Sequence, residues 1–288
     1  MPLDTSTYSL ALLRVDGRRW NELRRCYAQI RTQAAADGSS YLEMGHTKVM
    51  CVLTGPSEAG PRRGGGIGSS GGGGGSGAGD AKEAEVVVSI VVAGFSSVDR
   101  RRRGRTDKRI QELAATVSRT LAAVLHTHLF PRSVIHVALH VLNQDGSLLA
   151  ALLNAATLAA VDAGIPMSDY VAACSAGRPA TDDDSSSNSN NDSRVAADPL
   201  LDLNLQEEQE LPSLTVATLG ASDRVVALVC ESRVPAARLE SMLAVAVDGC
   251  KQVRALMDRV VRESGQQTLL ESGALPTTDQ KAAQQEIA

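Results

Sequence analysis

The chain has 288 residues, a formal net charge of −4 and only seven aromatic residues, namely one Trp, four Tyr and two Phe. So few rings argue against a protein that binds RNA mainly by stacking bases on clustered Phe and Tyr side chains. The near balance of 29 basic and 33 acidic residues argues against a uniformly basic surface, although a local basic patch stays compatible with it.

The first half of the chain predicts a group of strands followed by a helix. Residues 22–54 alternate in a strand-like way, with a turn at 36–39 and a third extended run at 44–56. A β-branched run at 86–93 predicts a buried strand, and apolar residues at helical spacing over 108–126 predict an amphipathic helix.

The second half predicts a central helix between strands. A strand at 133–142 precedes a nearly all-apolar helix at 148–163, which Gly164 and Pro166 end. A helix so apolar belongs in the centre of the fold. A long amphipathic helix at 236–261 follows further extended segments near 168–176, 199–204, 213–219 and 224–229. Strands grouped before and after helices predict α+β layering.

Two low-complexity stretches interrupt this pattern and are interpreted as loop insertions. One reads GGGIGSSGGGGGSGAG and the other TDDDSSSNSNNDS, and both lack the apolar residues that folding requires. The glycine tract is not a P-loop, because no Gly-Lys-Ser/Thr follows it. We predict a single domain over residues 1–263, with the insertions at about 60–82 and 178–197, and a flexible tail over 264–288.

The cysteines and the apolar runs bear on the class of protein. No run of about 18 apolar residues and no secretory signal pattern is present, so we expect neither a membrane span nor secretion. The five cysteines are widely spaced and form no CxxC pair. We therefore expect reduced, mostly buried thiols, and neither a zinc site nor another metal or cofactor.

Five stretches of the chain together resemble a known family. They read RVDGRRWNELR at 14–24, ADGSSYLEMGHTKVMCVLTGP at 36–56, HTHLFPRSVIHVALHVLNQDG at 126–146, LLNAATLAAVDAGIPMSDYVAACSAG at 152–177 and LLDLNLQEEQELPSLTVA at 200–217. In this order they resemble the RNase PH family, and within it the ring subunits of the eukaryotic RNA exosome that correspond to the catalytic subunit of the archaeal exosome. The resemblance spans about residues 10–262 apart from the two insertions.

The resemblance implies a fold, an assembly and a reaction. The fold is of the ribosomal protein S5 domain 2 type, with layered sheets and helices and an internal pseudo-repeat. Members assemble into six-subunit rings with RNA in the central pore. Active members degrade RNA from its 3′ end by phosphorolysis, in which inorganic phosphate attacks the phosphodiester.

The phosphate cradle of active members is degenerate in this chain. In those members a Gly-(Ser/Thr)-Arg element follows Asp-Gly and supplies amides, a hydroxyl and a guanidinium to phosphate. Here Asp145-Gly146 is followed by Ser147, then by Leu148 at the hydroxyl position and Leu149 at the arginine position. Two apolar side chains cannot neutralise a phosphate.

The acidic pair of active members is degenerate as well. Those members carry two Asp six residues apart, which bind a divalent metal or move a proton to the leaving oxygen. Counting without a gap, the first position is Glu208 and the second is Leu214. Glu208 could in principle still act as a remnant of the pair. We nevertheless interpret Glu207, Glu208 and Glu210 as a solvated acidic turn.

A basic run provides the candidate RNA contacts. Six arginines and one lysine lie within residues 100–109, a pattern that is also typical of solvated loops and nuclear-import signals. In active members, a basic pair at the start of the following helix contacts RNA, and a loop that narrows the pore lies further upstream. By this resemblance we predict that the RNA-binding residues are Arg62, Arg63, Arg103, Arg105, Lys108 and Arg109.

These observations lead to one expected function and two alternatives. We expect a non-catalytic ring subunit of the RNA exosome that lines the central channel and guides single-stranded RNA in 3′–5′ processing and decay of ribosomal, messenger and non-coding RNA. The alternatives are an active phosphate-dependent 3′–5′ exoribonuclease and a purely structural ring subunit without RNA contact.

The resemblance also implies partners and a location. The expected partners are other RNase PH-like subunits in a hetero-hexameric ring, cap subunits with RNA-binding domains, a hydrolytic exonuclease subunit and single-stranded RNA, with no membrane. The expected location is the nucleus and nucleolus, and also the cytoplasm.

Overall fold

The described part of the chain folds into two β-sheets and four α-helices, so the predicted α+β class is confirmed. A computed structural model describes residue 14 and residues 16–58, 83–97, 100, 104, 107–178 and 199–271. The strands are β1 (Cys26–Ile30), β2 (Gly38–Met44), β3 (Thr47–Glu58), β4 (Glu85–Val92), β5 (Ser133–Asn143), β6 (Val171–Gly177), β7 (Leu200–Leu201), β8 (Ser213–Leu219) and β9 (Val225–Cys230). The helices are α1 (Lys108–Val124), α2 (Leu148–Asp162), α3 (Leu205–Glu210) and α4 (Ala236–Glu271).

The first sheet has the strand order β1-β2-β3-β5-β4. Its first four strands are antiparallel neighbours, and β4 runs parallel to β5 at the edge. Side chains alternate along β5, where Ile135 and Val137 are buried and His136 between them is exposed. One face of this sheet therefore lies in the core, as the period of two in the sequence predicts.

Helix α2 lies between the two sheets, as its all-apolar sequence predicts. It packs against β2 and β3 of the first sheet and against β6 of the second, which has the order β7-β6-β8-β9. Gly38 in β2 permits the close approach, because a Cβ there would lie 2.3 Å from Ala159 O. Helix α4 covers β6 and β8. Helices α2 and α4 lie on opposite faces of β6, because successive side chains of a strand point to opposite faces. Cys174 faces α4, since a Cβ at Gly249 would lie 3.1 Å from its Sγ, whereas the next residue, Ser175, contacts Ser147 at the start of α2.

One helix is longer than the sequence predicts. Helix α4 continues to Glu271, beyond the predicted end at residue 261. There, Thr268 Oγ1 donates to Ser264 O (3.0 Å) and accepts a hydrogen bond from Arg31 Nη1 (2.9 Å). The hydrogen bond from Arg31 links the last turns of this helix to the residue that follows β1. The predicted division into one domain and a tail stays a prediction, and most of the two predicted insertions lies outside the described residues.

The cysteines are free thiols, as predicted: three are buried and two are partly buried. Burial raises the pKa of Cys250 to about 11, so this thiol stays protonated at neutral pH. None of the described helices combines the length and apolar character needed to cross a membrane.

Candidate functional site

The candidate site lies at the edge of the first sheet where β4 and β5 end. Because the two strands are parallel, the turn after β4 and the loop after β5 emerge side by side. A hydrogen bond joins them, from Gln144 N to Ser96 O at 3.1 Å. The loop after β5 leads directly into α2, so this edge also carries the start of the central helix.

Two consecutive left-handed residues shape the loop that leads into α2. Gly146 has a φ of 73° and Ser147 a φ of 52°. A Cβ at Gly146 would lie 2.5 Å from Leu203 O, so only glycine fits this position without displacing backbone. Thr47 Oγ1 fixes the loop from the other side, because it donates to Gly146 O (2.8 Å) and accepts from Asp145 N (3.0 Å).

The hydroxyl of Ser147 points into the protein. It donates to Leu203 O at 3.0 Å and contacts Ser175 Oγ, which in turn accepts a hydrogen bond from Leu203 N at 3.2 Å. The hydrogen bonds of the Ser147 hydroxyl therefore join α2 to the segment after β7. The side chain offers no hydroxyl to an anion arriving from solvent.

The carboxylate of Glu208 lies at the start of α2. Ser147 N donates to Glu208 Oε2 at 3.1 Å, so a side chain of this protein accepts the hydrogen bond of an amide that a bound anion would need. Burial raises the pKa of Glu208 above its usual value, and the Ser147 amide and the positive charge of Arg109 offset part of that rise.

The family positions that carry apolar residues here are buried. Leu148 and Leu149 have exposed fractions of 7% and 8% in the first turn of α2. Leu214 in β8 is completely buried and packs with Met242 and Ala246 of α4. The structure thus brings Ser147, Leu148, Leu149 and Glu208 together, and it places Leu214 in the core of the second sheet.

The acidic residues 207–210 are not a solvated turn, and that interpretation is wrong for Glu207 and Glu208. They lie in α3, where Glu207 is 2% exposed and forms a capping box with Asn204. Arg14 Nε donates to Glu207 Oε1 at 2.9 Å, and Arg14 is buried too. The physical reason is the ion pair, since a carboxylate in the interior requires a cationic partner.

A second buried ion pair fixes the other side of the same region. Arg24 donates through Nε and Nη2 to the two carboxylate oxygens of Asp202, at 3.0 and 2.7 Å. Burial alone would raise the pKa of Asp202, but the Arg24 guanidinium outweighs it and holds that pKa below its usual value. Sequence analysis missed Arg14, Arg24 and Asp202 as parts of the site, because no local pattern marks a pair of residues so distant in the chain.

The predicted cationic residues separate into two groups. Lys108 and Arg109 are exposed in the first turn of α1, which Asp107 caps by accepting from Arg109 N at 3.2 Å. Arg109 Nη2 lies 3.9 Å from Glu231 Oε2, and both side chains are largely exposed. The other predicted contacts, Arg62, Arg63, Arg103 and Arg105, lie outside the described residues. Within the part of the chain that the structure describes, no group of three or more His, Cys, Asp or Glu side chains is arranged to hold a metal ion.

Two family models together match most of the chain. A model described as 3′ exoribonuclease family, domain 1, matches residues 22–166, and one described as 3′ exoribonuclease family, domain 2, matches residues 189–249. The chain belongs to the RNase PH family of 3′ exoribonucleases. The family resemblance of the sequence motifs is thereby confirmed.

Several members of the RNase PH family are similar to this chain over nearly their whole length. Exosome complex component RRP41 of Homo sapiens is 37% identical over 87% of this chain and 91% of its own. Exosome complex component ski6 of Schizosaccharomyces pombe is 36% identical, covering 91% and 96%, respectively. Exosome complex component SKI6 of Saccharomyces cerevisiae is 35% identical, covering 93% and 97%.

Solved structures show the same RNase PH fold. Rrp46 of rice (Oryza sativa) has a TM-score of 0.66 at 22% identity and covers 86% of this chain and 100% of its own. The Archaeoglobus fulgidus exosome with RNA bound to the active site gives a TM-score of 0.63 at 20% identity, covering 84% and 92%. At such identities these structures support the fold of this RNase PH family chain and carry no information on its activity.

Proposed function

We propose that this chain is a non-catalytic core ring subunit of an RNA exosome, which lines the central channel and guides single-stranded RNA. The observation that carries the proposal is the hydrogen bond from Ser147 N to Glu208 at the start of α2. By the family resemblance, active members hold inorganic phosphate at this helix start. Here Glu208 accepts the hydrogen bond of the Ser147 amide, and buried Leu148 and Leu149 lie beside it.

Electrostatics argue against phosphate binding at this helix start. A phosphate placed there would meet the Glu208 carboxylate without the arginine that active members supply. Two like charges about 4 Å apart repel by about 4 kcal/mol at an effective dielectric constant near 20, which is roughly a thousandfold in affinity. The remaining hydroxyl, that of Ser147, is already bound to Leu203 O. These features support a chain that does not carry out phosphorolysis.

The start of α1 supports the RNA contact. Lys108 and Arg109 are exposed, and the ion pair of Arg109 with Glu231 at 3.9 Å lies in solvent, where such pairs contribute at most about 1 kcal/mol. An RNA phosphate can therefore replace Glu231 at little cost. Contacts of this kind bind the RNA backbone without reading its sequence, and they weaken as salt rises.

The exosome assembly itself is proposed from the named relatives. Three of them are exosome complex components that this chain matches over most of its length. We therefore propose that the chain joins other RNase PH-like subunits in a hetero-hexameric ring, together with RNA-binding cap subunits and a hydrolytic exonuclease subunit. A location in the nucleus, nucleolus and cytoplasm belongs to the same proposal, and imaging of the tagged chain tests it.

RNA protection by the assembled ring tests the guiding role. We expect the double substitution Lys108→Glu and Arg109→Glu to shorten or abolish the RNA segment protected from ribonuclease. Arg119→Glu is the matched control, since Arg119 is exposed on the same helix about 15 Å further along. Protection that is unchanged by the double substitution would instead support the purely structural role. Phosphate-dependent release of nucleoside diphosphates would support the active alternative.

A further inference from the structure

The turn after β4 shows an inverted pattern of burial. Phe95 is 70% exposed, the largest exposed fraction among the large apolar side chains of the described residues, while the adjacent Ser96 is only 2% exposed. The hydrophobic effect favours the opposite arrangement, with the ring inside and the hydroxyl outside. A single exposed apolar residue is common on protein surfaces, so the surroundings of Phe95 decide its meaning.

Backbone hydrogen bonds hold this turn in place. Ala93 N donates to Val141 O (3.0 Å), Ser96 N to Ala93 O (3.0 Å) and Gln144 N to Ser96 O (3.1 Å). The turn is thus joined to the end of β5 and to the loop that enters α2. Phe95 is therefore presented from a fixed backbone, and a ligand that packs on its ring need not first order the turn.

The charge beside the ring favours a polyanionic ligand. Arg100 is exposed, and its amide donates to Ser97 O at 3.0 Å, so it belongs to the same turned segment as Phe95. Exposed Lys108 and Arg109 follow at the start of α1. Proteins hold single-stranded nucleic acid with aromatic and cationic side chains exposed on one surface, because the ring stacks on a base while the cations bind phosphates.

We propose that Phe95 stacks on a base of single-stranded RNA at the edge of the first sheet where β4 and β5 end. This inference rests on the proposed function and adds to it a contact with the base, where Lys108 and Arg109 contact only the backbone. One such stack is compatible with the scarcity of aromatic residues, which excludes a platform of several rings. The stack is tolerant of sequence, since every base has a face to offer.

The test uses the assembled ring and two oligomers of equal length, a single-stranded RNA and its abasic analogue, which keeps the ribose-phosphate backbone. We expect Phe95→Ala to weaken binding of the RNA about five- to tenfold, at the low end of what one base–aromatic stack contributes. Binding of the abasic analogue and the salt dependence should not change, because no phosphate contact is lost. Leu129→Ala is the matched control, as Leu129 is also an exposed apolar residue.

A second variant gives a spectroscopic readout. Phe95→Trp should keep the affinity, and its added fluorescence should be quenched by the RNA but not by the abasic analogue. The wild-type chain, with Trp20 as its single tryptophan, gives the background.

Three outcomes would overturn the proposal. In the first, Phe95→Ala leaves RNA affinity unchanged or weakens both oligomers equally. In the second, it releases the chain from the ring while RNA affinity of the intact ring is unchanged, so that Phe95 contacts a protein. In these first two cases, loss of RNA binding by the double variant Lys108→Glu, Arg109→Glu would still support the proposed function. In the third, charge reversal and Phe95→Ala are both without effect, and the proposed RNA contact fails as well.

Discussion

The starts of helices α1 and α2 lie at the same edge of the first sheet but differ in what occupies them. At the start of α2, the amide of Ser147 is bound by Glu208, the Ser147 hydroxyl is turned inward, and Leu148 is buried. At the start of α1, Lys108 and Arg109 are exposed. We call these the closed start and the open start, respectively.

We propose that this difference lets the chain lose phosphorolysis and keep its contact with RNA. Phosphorolysis requires a small anion at the closed start, where a carboxylate of the chain already accepts the hydrogen bond. Binding an RNA backbone requires only cations within reach of phosphates, which the open start supplies. Internal hydrogen bonds and ion pairs hold the closed start in place, whereas the cations of the open start are exposed to solvent. Substitutions at the closed start should therefore change stability, and substitutions at the open start should change RNA binding.

The largest effect is expected from breaking the ion pair beneath the closed start. Arg24→Met leaves Asp202 as a buried carboxylate without its partner, which typically lowers the free energy of unfolding by about 3–5 kcal/mol. Urea unfolding of the full-length chain measures this. Arg25→Met is the matched control, because Arg25 is exposed, and should change stability by no more than about 0.5 kcal/mol. A loss below about 1 kcal/mol for Arg24→Met would contradict the account.

The loop of the closed start can be tested through its glycine. Gly146→Ala places a Cβ 2.5 Å from Leu203 O at a φ of 73°, so we expect a loss of about 2–3 kcal/mol from strain and collision together. Gly164→Ala separates the two causes, since Gly164 has a φ of 68° but no atom within 4 Å of the added Cβ. That control should lose only about 1 kcal/mol. Equal losses in the two variants would show that the loop can move away.

The open start should affect RNA binding and leave stability unchanged. Lys108→Ala with Arg109→Ala removes two phosphate contacts, so the slope of log K against log salt should become shallower by about 1.4 for single-stranded RNA. Affinity should fall about tenfold at moderate salt. Binding isotherms at several salt concentrations measure both quantities, with Arg119→Ala as control. An unchanged slope would remove the open start from the RNA path.

The smallest effect concerns the pH dependence of the closed start. Burial raises the folded-state pKa of Glu208, so the folded chain retains a proton that the unfolded chain releases near pH 4.3, the usual glutamate value. Stability from this group is then fully present below that pH and decreases as pH rises through the raised pKa. Glu208→Gln should remove this decrease, because the glutamine amide does not titrate. Urea unfolding between pH 4 and pH 8 measures how stability changes with pH. If the variant loses more stability over this range than the wild-type chain, the expected direction of the effect is wrong.

Much of the fold could be predicted from the sequence, because apolar patterns report burial directly. The all-apolar run that forms α2 predicted a central helix, and the β-branched run at 86–93 predicted a strand that the structure places at Glu85–Val92. The same apolar run also predicted that Leu148 and Leu149 lie at the helix start. These predictions succeed because each depends on residues close together in the chain.

Contacts between distant residues could not be predicted. Glu207 was interpreted as solvated because its partner, Arg14, lies 193 positions away. The contact of Glu208 with Ser147 spans 61 positions, and the pair of Arg24 with Asp202 spans 178. The turn that carries Phe95 is likewise joined to a distant segment, through the hydrogen bond from Gln144 N to Ser96 O. In each case the tertiary fold, and not the local composition, decides whether a charge or a ring meets solvent.

One measurement tests the central claim most directly: release of nucleoside diphosphates from RNA by the assembled ring, with and without inorganic phosphate. Nucleoside diphosphates report phosphorolysis alone, because hydrolysis by another subunit gives monophosphates. We predict no phosphate-dependent release from the wild-type chain, from Glu208→Gln or from the control Glu210→Gln. Phosphate-dependent release that is lost with Glu208→Gln and kept with Glu210→Gln would contradict this prediction and show that the closed start is an active site.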